Sequence, residues 1–139
     1  MEISFDEVIA RSKAACEALS DEDDGLKREV LAHAGNRWSL GIVYALAVSG
    51  TLRHAELARR LDGVTQRMLT RSLRQLERDG LIVRRDHQEV PPRVDYTLTA
   101  LGRGLLAGMM PLGTWVIDNA TSFRSARDRF DGHDSRDKR

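Results

Sequence analysis

Leucine and arginine alternate at helical spacing near the middle of the chain. Placed at about 100° per residue, Leu69, Leu73 and Leu76 share one narrow arc, and Arg67, Arg71, Arg74 and Arg78 share the opposite one. Thr65 stands just ahead of this stretch as a favoured N-cap, and Gly80 stands just after it as a favoured stop. The pattern predicts an amphipathic helix over residues 66–79. A shorter helical pattern over 55–61 precedes it, with Leu57, Ala58 and Leu61 inward. The two are joined by Asp62-Gly63-Val64, a tight turn in which Gly63 supplies a backbone conformation costly for other residues. A helix, a short glycine-containing turn and a second helix make the helix-turn-helix pattern.

The pattern then changes to strands. Residues 81–87 and 94–98 read as two strands joined by Gln88-Glu89-Val90-Pro91-Pro92-Arg93, a loop longer than a two-residue turn and stiffened by two prolines. Residues 51–53 read as a very short third strand. Upstream, residues 4–19 read as a helix with Ser4 as N-cap and Glu7 in the capping-box position. An acidic break is expected over 20–25, a second helix over 26–34 ending near Gly35, and a third over 38–48 with Trp38, Ile42, Ala45 and Leu46 on one side. Downstream, Thr99 caps a last helix carrying Leu101, Leu105, Met109, Leu112, Trp115 and Val116, which Pro111 should kink or interrupt. From Arg124 onward the chain is charged and poor in apolar residues, which predicts a frayed or disordered tail. The expected fold class is mainly α with a small β-hairpin wing.

The net charge of +1 says little, but its distribution changes the picture. Residues 1–35 hold nine acids and four bases, whereas residues 51–103 hold seven acids and eleven bases, all arginine. Arginine's planar fork suits phosphate and guanine edges. Four arginines spaced four, three and four apart repel one another on an isolated helix, and a polyanion relieves that repulsion. With Thr65 at the helix start, Gln66, Arg67, Thr70 and Arg71 are the candidates for reading base edges in a major groove. Arg74 and Arg78 suit phosphates. Arg84, Arg85 and Arg93 on the hairpin would reach flanking phosphates or the minor groove. The partner so indicated is double-stranded DNA.

Other chemistry is sparse. The only cysteine, Cys16, permits no intrachain disulfide and fits a reducing cytoplasm. Residues 1–6 lack the basic-then-apolar pattern of a secretory signal, and no apolar run is expected to reach membrane-span length. His33, His54, His87 and His133 are scattered singly, without metal-ligand spacing, and read as caps or surface residues. The cluster Asp21, Glu22, Asp23, Asp24 lacks the alternation of a calcium loop. No nucleophile motif, phosphate loop or paired carboxylates stand out, so no enzymatic activity, cofactor or metal is expected.

In order and spacing, several segments resemble the HxlR-type family of winged-helix regulators, relatives of the MarR class. They are Gly35-Asn36-Arg37-Trp38, Arg53-His54-Ala55-Glu56-Leu57, Gly63-Val64-Thr65 and Glu77-Arg78-Asp79-Gly80-Leu81-Ile82. The most diagnostic is Glu89-Val90-Pro91-Pro92-Arg93-Val94-Asp95-Tyr96-Thr97-Leu98-Thr99, followed by Gly102. The resemblance implies a homodimer, held by N- and C-terminal helices, that represses or activates nearby genes from a pseudo-palindromic operator. It divides the chain into an N-terminal dimerisation helix with acidic linker (1–25), a winged helix-turn-helix domain (26–99), a C-terminal dimerisation helix (100–123) and a charged tail (124–139). Many members look to carry a cysteine shortly before the first conserved helix. Alignment on Trp38 puts Gly25 there, and Cys16 lies nine residues earlier. His54 stands where the family has an aromatic.

Two further features bear on regulation. Trp38, Met109, Met110 and Trp115 would line an apolar effector pocket or form plain dimer core. Cys16 is the candidate thiol for a redox- or electrophile-sensing alternative. A third reading keeps the winged helix but not the DNA. In it, the basic helix meets an acidic protein partner, or the chain's own acidic N-terminal segment.

Overall fold

Residues 4–138 are described by a computed structural model. Along these residues run α1 (Phe5–Glu17), α2 (Asp21–Gly35), α3 (Arg37–Ser49), β1 (Leu52–Arg53), α4 (His54–Arg60), α5 (Gln66–Arg78), β2 (Ile82–Asp86), β3 (Val94–Leu98), α6 (Ala100–Asp118) and α7 (Ala120–Asp137). The three strands form one antiparallel sheet in the order β1-β3-β2. This is a winged helix-turn-helix: α4 and α5 make the motif, and β2 and β3 make the wing. Met1, Glu2 and Ile3 of the predicted N-terminal segment, and Arg139 of the predicted tail, lie outside the described residues.

Capping chemistry fixes the helix starts. The Ser4 hydroxyl accepts from Glu7 N while Ser4 N donates to Glu7 Oε2, the reciprocal box expected from sequence. Asn36 Oδ1 accepts from Trp38 N and Ser39 N at 3.0 and 3.1 Å, and Thr65 Oγ1 accepts from Met68 N at 3.1 Å. Gly63 takes φ 82° at the α4–α5 turn, in the left-handed region foreseen for it.

The core lies between α3, α4, α5 and the sheet. Ile42, Val43 and Leu46 of α3 meet Leu57 of α4, Leu69, Leu73 and Leu76 of α5, and Leu81, Ile82, Tyr96 and Leu98 at the sheet. Each such buried aliphatic side chain contributes roughly 1.5–3 kcal/mol from burial. The start of α6 is keyed into this body. Thr99 Oγ1 donates to the carbonyls of Gly80 and Leu81 and accepts from Gly102 N. A Cβ on Gly102 would lie 2.2 Å from the Leu81 carbonyl oxygen, so only glycine permits this approach.

Four expectations are corrected. The acidic segment over 20–25 is no break. Ser20 caps α2 through Asp23 N, and Asp21, Glu22, Asp23 and Asp24 occupy its first turn, where carboxylates favour the positive end of the helix dipole. Of the two outcomes expected at Pro111, a kink or an interruption, the interruption does not occur: α6 runs unbroken from Ala100 to Asp118. The segment from Arg124 is helical within α7, which starts after Asn119 and is joined to α6 by an edge-on contact of Trp115 with Phe123, ring centroids 5.6 Å apart. Finally, α6 has 19 residues, and an 18-residue stretch of it has a mean hydropathy of 1.2, which by length and composition alone would let it cross a membrane.

Candidate nucleic-acid interface

The amphipathic pattern of α5 becomes a physical surface. Leu69, Leu73 and Leu76 are buried, whereas Gln66, Arg67, Thr70, Arg71, Arg74 and Arg78 are exposed. Among the described residues, none of these arginines pairs with a carboxylate. Gln66, Arg67, Thr70, Arg71 and Arg74 border one shallow depression along the helix, together with Gln75. The row of guanidinium groups therefore faces solvent with its hydrogen-bond donors free.

The wing residues divide. In the β2–β3 register Arg84 is opposite Tyr96 and Arg85 is opposite Asp95, so the two arginines project from opposite faces of the sheet. Arg84 joins Gln66, Thr70 and Arg74 around a groove between α5 and the sheet. Arg85 stands on the other face. Arg93 is half-buried and turned back: its guanidinium lies 3.5 Å from Asp95 Oδ2, and its Nε is buried with no partner among the described residues. Thr65 acts as the α5 cap at the edge of this surface.

Sequence reasoning missed two histidine–aspartate braces. His33, only 7% exposed, donates from Nε2 to Asp79 Oδ2 at 2.6 Å, tying α2 to the C-cap residue of α5. His87 likewise donates to Asp95 Oδ2 at 2.6 Å. Asp95, 6% exposed, also lies 3.8 Å from Arg53 Nε. The His87 hydrogen bond holds the Asp95 carboxyl below the usual carboxylate range; burial opposes this, and the Arg93 charge adds to it. The register offers the one sequence signal for this cluster, because Arg53, Asp95 and Arg85 are cross-strand neighbours of opposite charge. His33 and His87 are thus not the caps or surface residues they were expected to be. His54 is half-buried at the start of α4, with Nε2 3.3 Å from Thr70 Oγ1.

The regulatory candidates do not converge. Trp38 packs on the body beside Gly63 and stacks under the Arg37 guanidinium at 4.7 Å. Trp115 sits far along α6 against Phe123. Among the described residues, the cavity lined by Val116, Ile117 and Phe123 and the one lined by Leu26, Leu101 and Leu105 both touch α6 without including Trp38, Met109, Met110 or Trp115. Cys16 is exposed, with Lys27 Nζ 3.8 Å from its sulfur. Among the described residues no group of three or more His, Cys, Asp or Glu side chains is placed to hold a metal ion.

A leucine-backed helix with a bare guanidinium face, set against a wing, defines a transcription regulator of the helix-turn-helix class. The chain belongs to the HxlR-like helix-turn-helix family, whose model matches residues 33–123. It is 40% identical over 101 residues to the HTH-type transcriptional regulator YtfH of Escherichia coli, covering 73% of this chain and 79% of the relative. The solved transcriptional regulator ytfH from Salmonella typhimurium is 38% identical with a TM-score of 0.65, over 73% of this chain and 90% of that one. The redox regulator HypR in its reduced form is 35% identical with a TM-score of 0.62, over 69% and 94%.

Proposed function

We propose that the protein acts in the cytoplasm as a homodimer whose two α5 helices enter successive major grooves of a pseudo-palindromic operator. The observation that carries this reading is the unpaired arginine row on the exposed face of α5, backed by buried leucines. Gln66, Arg67, Thr70 and Arg71, in the first half of the helix, read base edges. Arg74, Arg78 and Arg84 hold phosphates. Arg85 and Arg93 act from the wing, with Arg93 first leaving Asp95. Dimerisation is supported by the apolar side chains of α1, α6 and α7, which this single chain leaves uncovered. Repression follows from occupancy, since a dimer seated on a promoter excludes polymerase.

The test is duplex binding with a site selected from a random pool, against a scrambled duplex. Arg71→Ala should lose about 1–3 kcal/mol on the selected site and less on the scrambled one. Equal losses on the two duplexes would remove Arg71 from base readout. A wild-type dimer with no salt-sensitive duplex binding would instead favour the protein-interaction reading.

Two readings concern control. Oxidant sensing rests on the exposed Cys16 thiol and on the likeness to the redox regulator HypR. Diamide should then release the duplex from wild type and not from Cys16→Ser. Control by a small apolar molecule fits the cavity of about 470 Å³ lined by Leu26, Val30, Leu81, Leu101 and Leu105 better than it fits the dispersed Trp38, Met109, Met110 and Trp115. Its signature is a metabolite that releases the wild-type duplex and has no effect on Leu101→Arg.

A further inference from the structure

We propose that the cleft between α2 and α6 binds an organic cation with an apolar body, and that Asp79 selects its charge. The cleft has a volume of about 470 Å³. Leu26 and Val30 reach it from α2, Leu101 and Leu105 from α6, and Leu81 from the turn between α5 and β2. Leu26 is 55% and Leu101 63% exposed, so this apolar lining stands open to water and an apolar body would cover it. Gly104 keeps the space clear, because a Cβ built there would meet nothing from the rest of the fold within 4 Å.

Among the described residues that line the cleft, Asp79 alone is ionisable. It is the C-cap residue of α5, at the end of the helix where carbonyl oxygens gather and the potential is negative. A carboxylate there works against the helix, since that end favours cations. His33 Nε2 occupies Asp79 Oδ2 at 2.6 Å, and Asp79 Oδ1 takes no hydrogen bond among the described residues. Arg78, the preceding residue, lines a different cleft with Glu29 and Asn36. Asp79 therefore brings an oxygen without a partner to the border of an apolar space. A protonated amine on an apolar chain supplies both cover for the leucines and donors for that oxygen. A ligand carboxylate would meet like charge instead.

This assignment rests on the reading of the same cavity as an effector site, and narrows the effector from a small apolar molecule to a cationic one. Asp79 also ends the recognition helix, so a cation drawn to it acts where α5 is tied to α2 through His33. A second copy of the chain is the rival occupant, since α6 leaves apolar side chains uncovered. An apolar partner surface closing the cleft would bury the Asp79 carboxylate without a donor for Oδ1, which is costly. A cation carries its own donor to that oxygen.

The experiment titrates the full chain by calorimetry at about pH 7, where an alkyl amine is charged, with octylammonium, octanol and octanoate. Wild type should bind octylammonium about tenfold more tightly than octanol, the order of one charge-assisted hydrogen bond, and octanoate more weakly than either. Asp79→Asn should bring octylammonium down to the level of octanol. Gly104→Leu puts a side chain into the open space, on a helix that glycine weakens, and should bind none of the three. Circular dichroism checks both variants; if either does not fold, the order of the three probes on wild type decides. Octanol as tight as octylammonium on wild type overturns the proposal and leaves the apolar-effector reading standing. Octanoate as tight as octylammonium, or a preference for octylammonium that survives in Gly104→Leu, overturns it as well. Weakened self-association of folded Gly104→Leu in sedimentation gives the cleft to a second copy, with the same consequence. Octylammonium that shows the expected preference and leaves duplex affinity unchanged supports the ligand assignment and removes the effector reading. Binding of none of the probes at millimolar concentration sinks both.

Discussion

The body formed by α3, α4, α5 and the sheet hides its apolar side chains, and the flanking helices α1, α6 and α7 display theirs. Leu57, Leu69 and Leu76 have no exposed surface, whereas Phe5 is 77% and Ile117 75% exposed. Both regions carry apolar stripes at helical spacing, so local pattern does not separate them. The difference lies in what stands opposite. In the body, three layers close on one another and the leucines leave water within a single chain. In α1 and α7 no residue is buried, and in α6 only Gly102 is. Apolar stripes of this kind lose water only by meeting another surface. The body therefore supplies its own stability, and on the proposed reading it carries recognition while the flanks carry association.

The sharpest way to break this contrast is to damage the body's core. Leu69→Ala should cost about 3 kcal/mol or more in urea denaturation, because it leaves a cavity behind the arginine row. A loss below about 1 kcal/mol would show that α5 is not held by its leucine face. His33→Ala comes next, at about 1–2 kcal/mol, since it strips the partially buried Asp79 of its partner. It should also speed amide exchange at Asp79 and Gly80, and unchanged exchange there would argue against a brace on α5.

A smaller effect is expected from Asp95→Asn, read by thermal melts as a function of pH. The Asp95 carboxyl sits below its ordinary value in the folded protein, so the unfolded chain takes up the proton first. Its stabilising contribution is complete above the ordinary carboxylate value of about 4 and is lost as pH falls through the lowered folded value. The variant should melt below wild type at pH 7, and the two should converge in strong acid. Divergence in acid would contradict the sign of this linkage. The least change in body stability belongs to Ile117→Glu, within about 0.5 kcal/mol as for an exposed position. Sedimentation should nevertheless show its self-association weakened. A variant as dimeric as wild type would place the association surface elsewhere.

Much of the recognition surface was legible in the chain. The Thr65 cap, the leucine arc and the arginine arc of α5 depend only on residues up to four positions apart, and each stands where periodicity puts it. The start of α2 was misjudged because four consecutive acids resemble a solvated linker, although the same acids suit a helix N-terminus once Ser20 caps it. Low apolar content from Arg124 onward predicts disorder, yet the segment is helical within α7, whose Phe123 packs edge-on against Trp115 of α6. The division of the wing arginines depended on strand register, which placed Arg84 by α5 and Arg93 against Asp95.

The amino-acid order alone determined that α5 is a helix, where it starts, and which of its faces is charged, because hydrogen bonds and side-chain neighbours along a helix are local. Tertiary packing alone decided that His33 is buried against Asp79, 46 positions away, that His87 and two arginines gather on Asp95, and that His54 borders a groove with Arg74 and Arg84. A titratable side chain's burial and partners depend on which distant segment the core brings beside it, and no periodicity in its own segment encodes that.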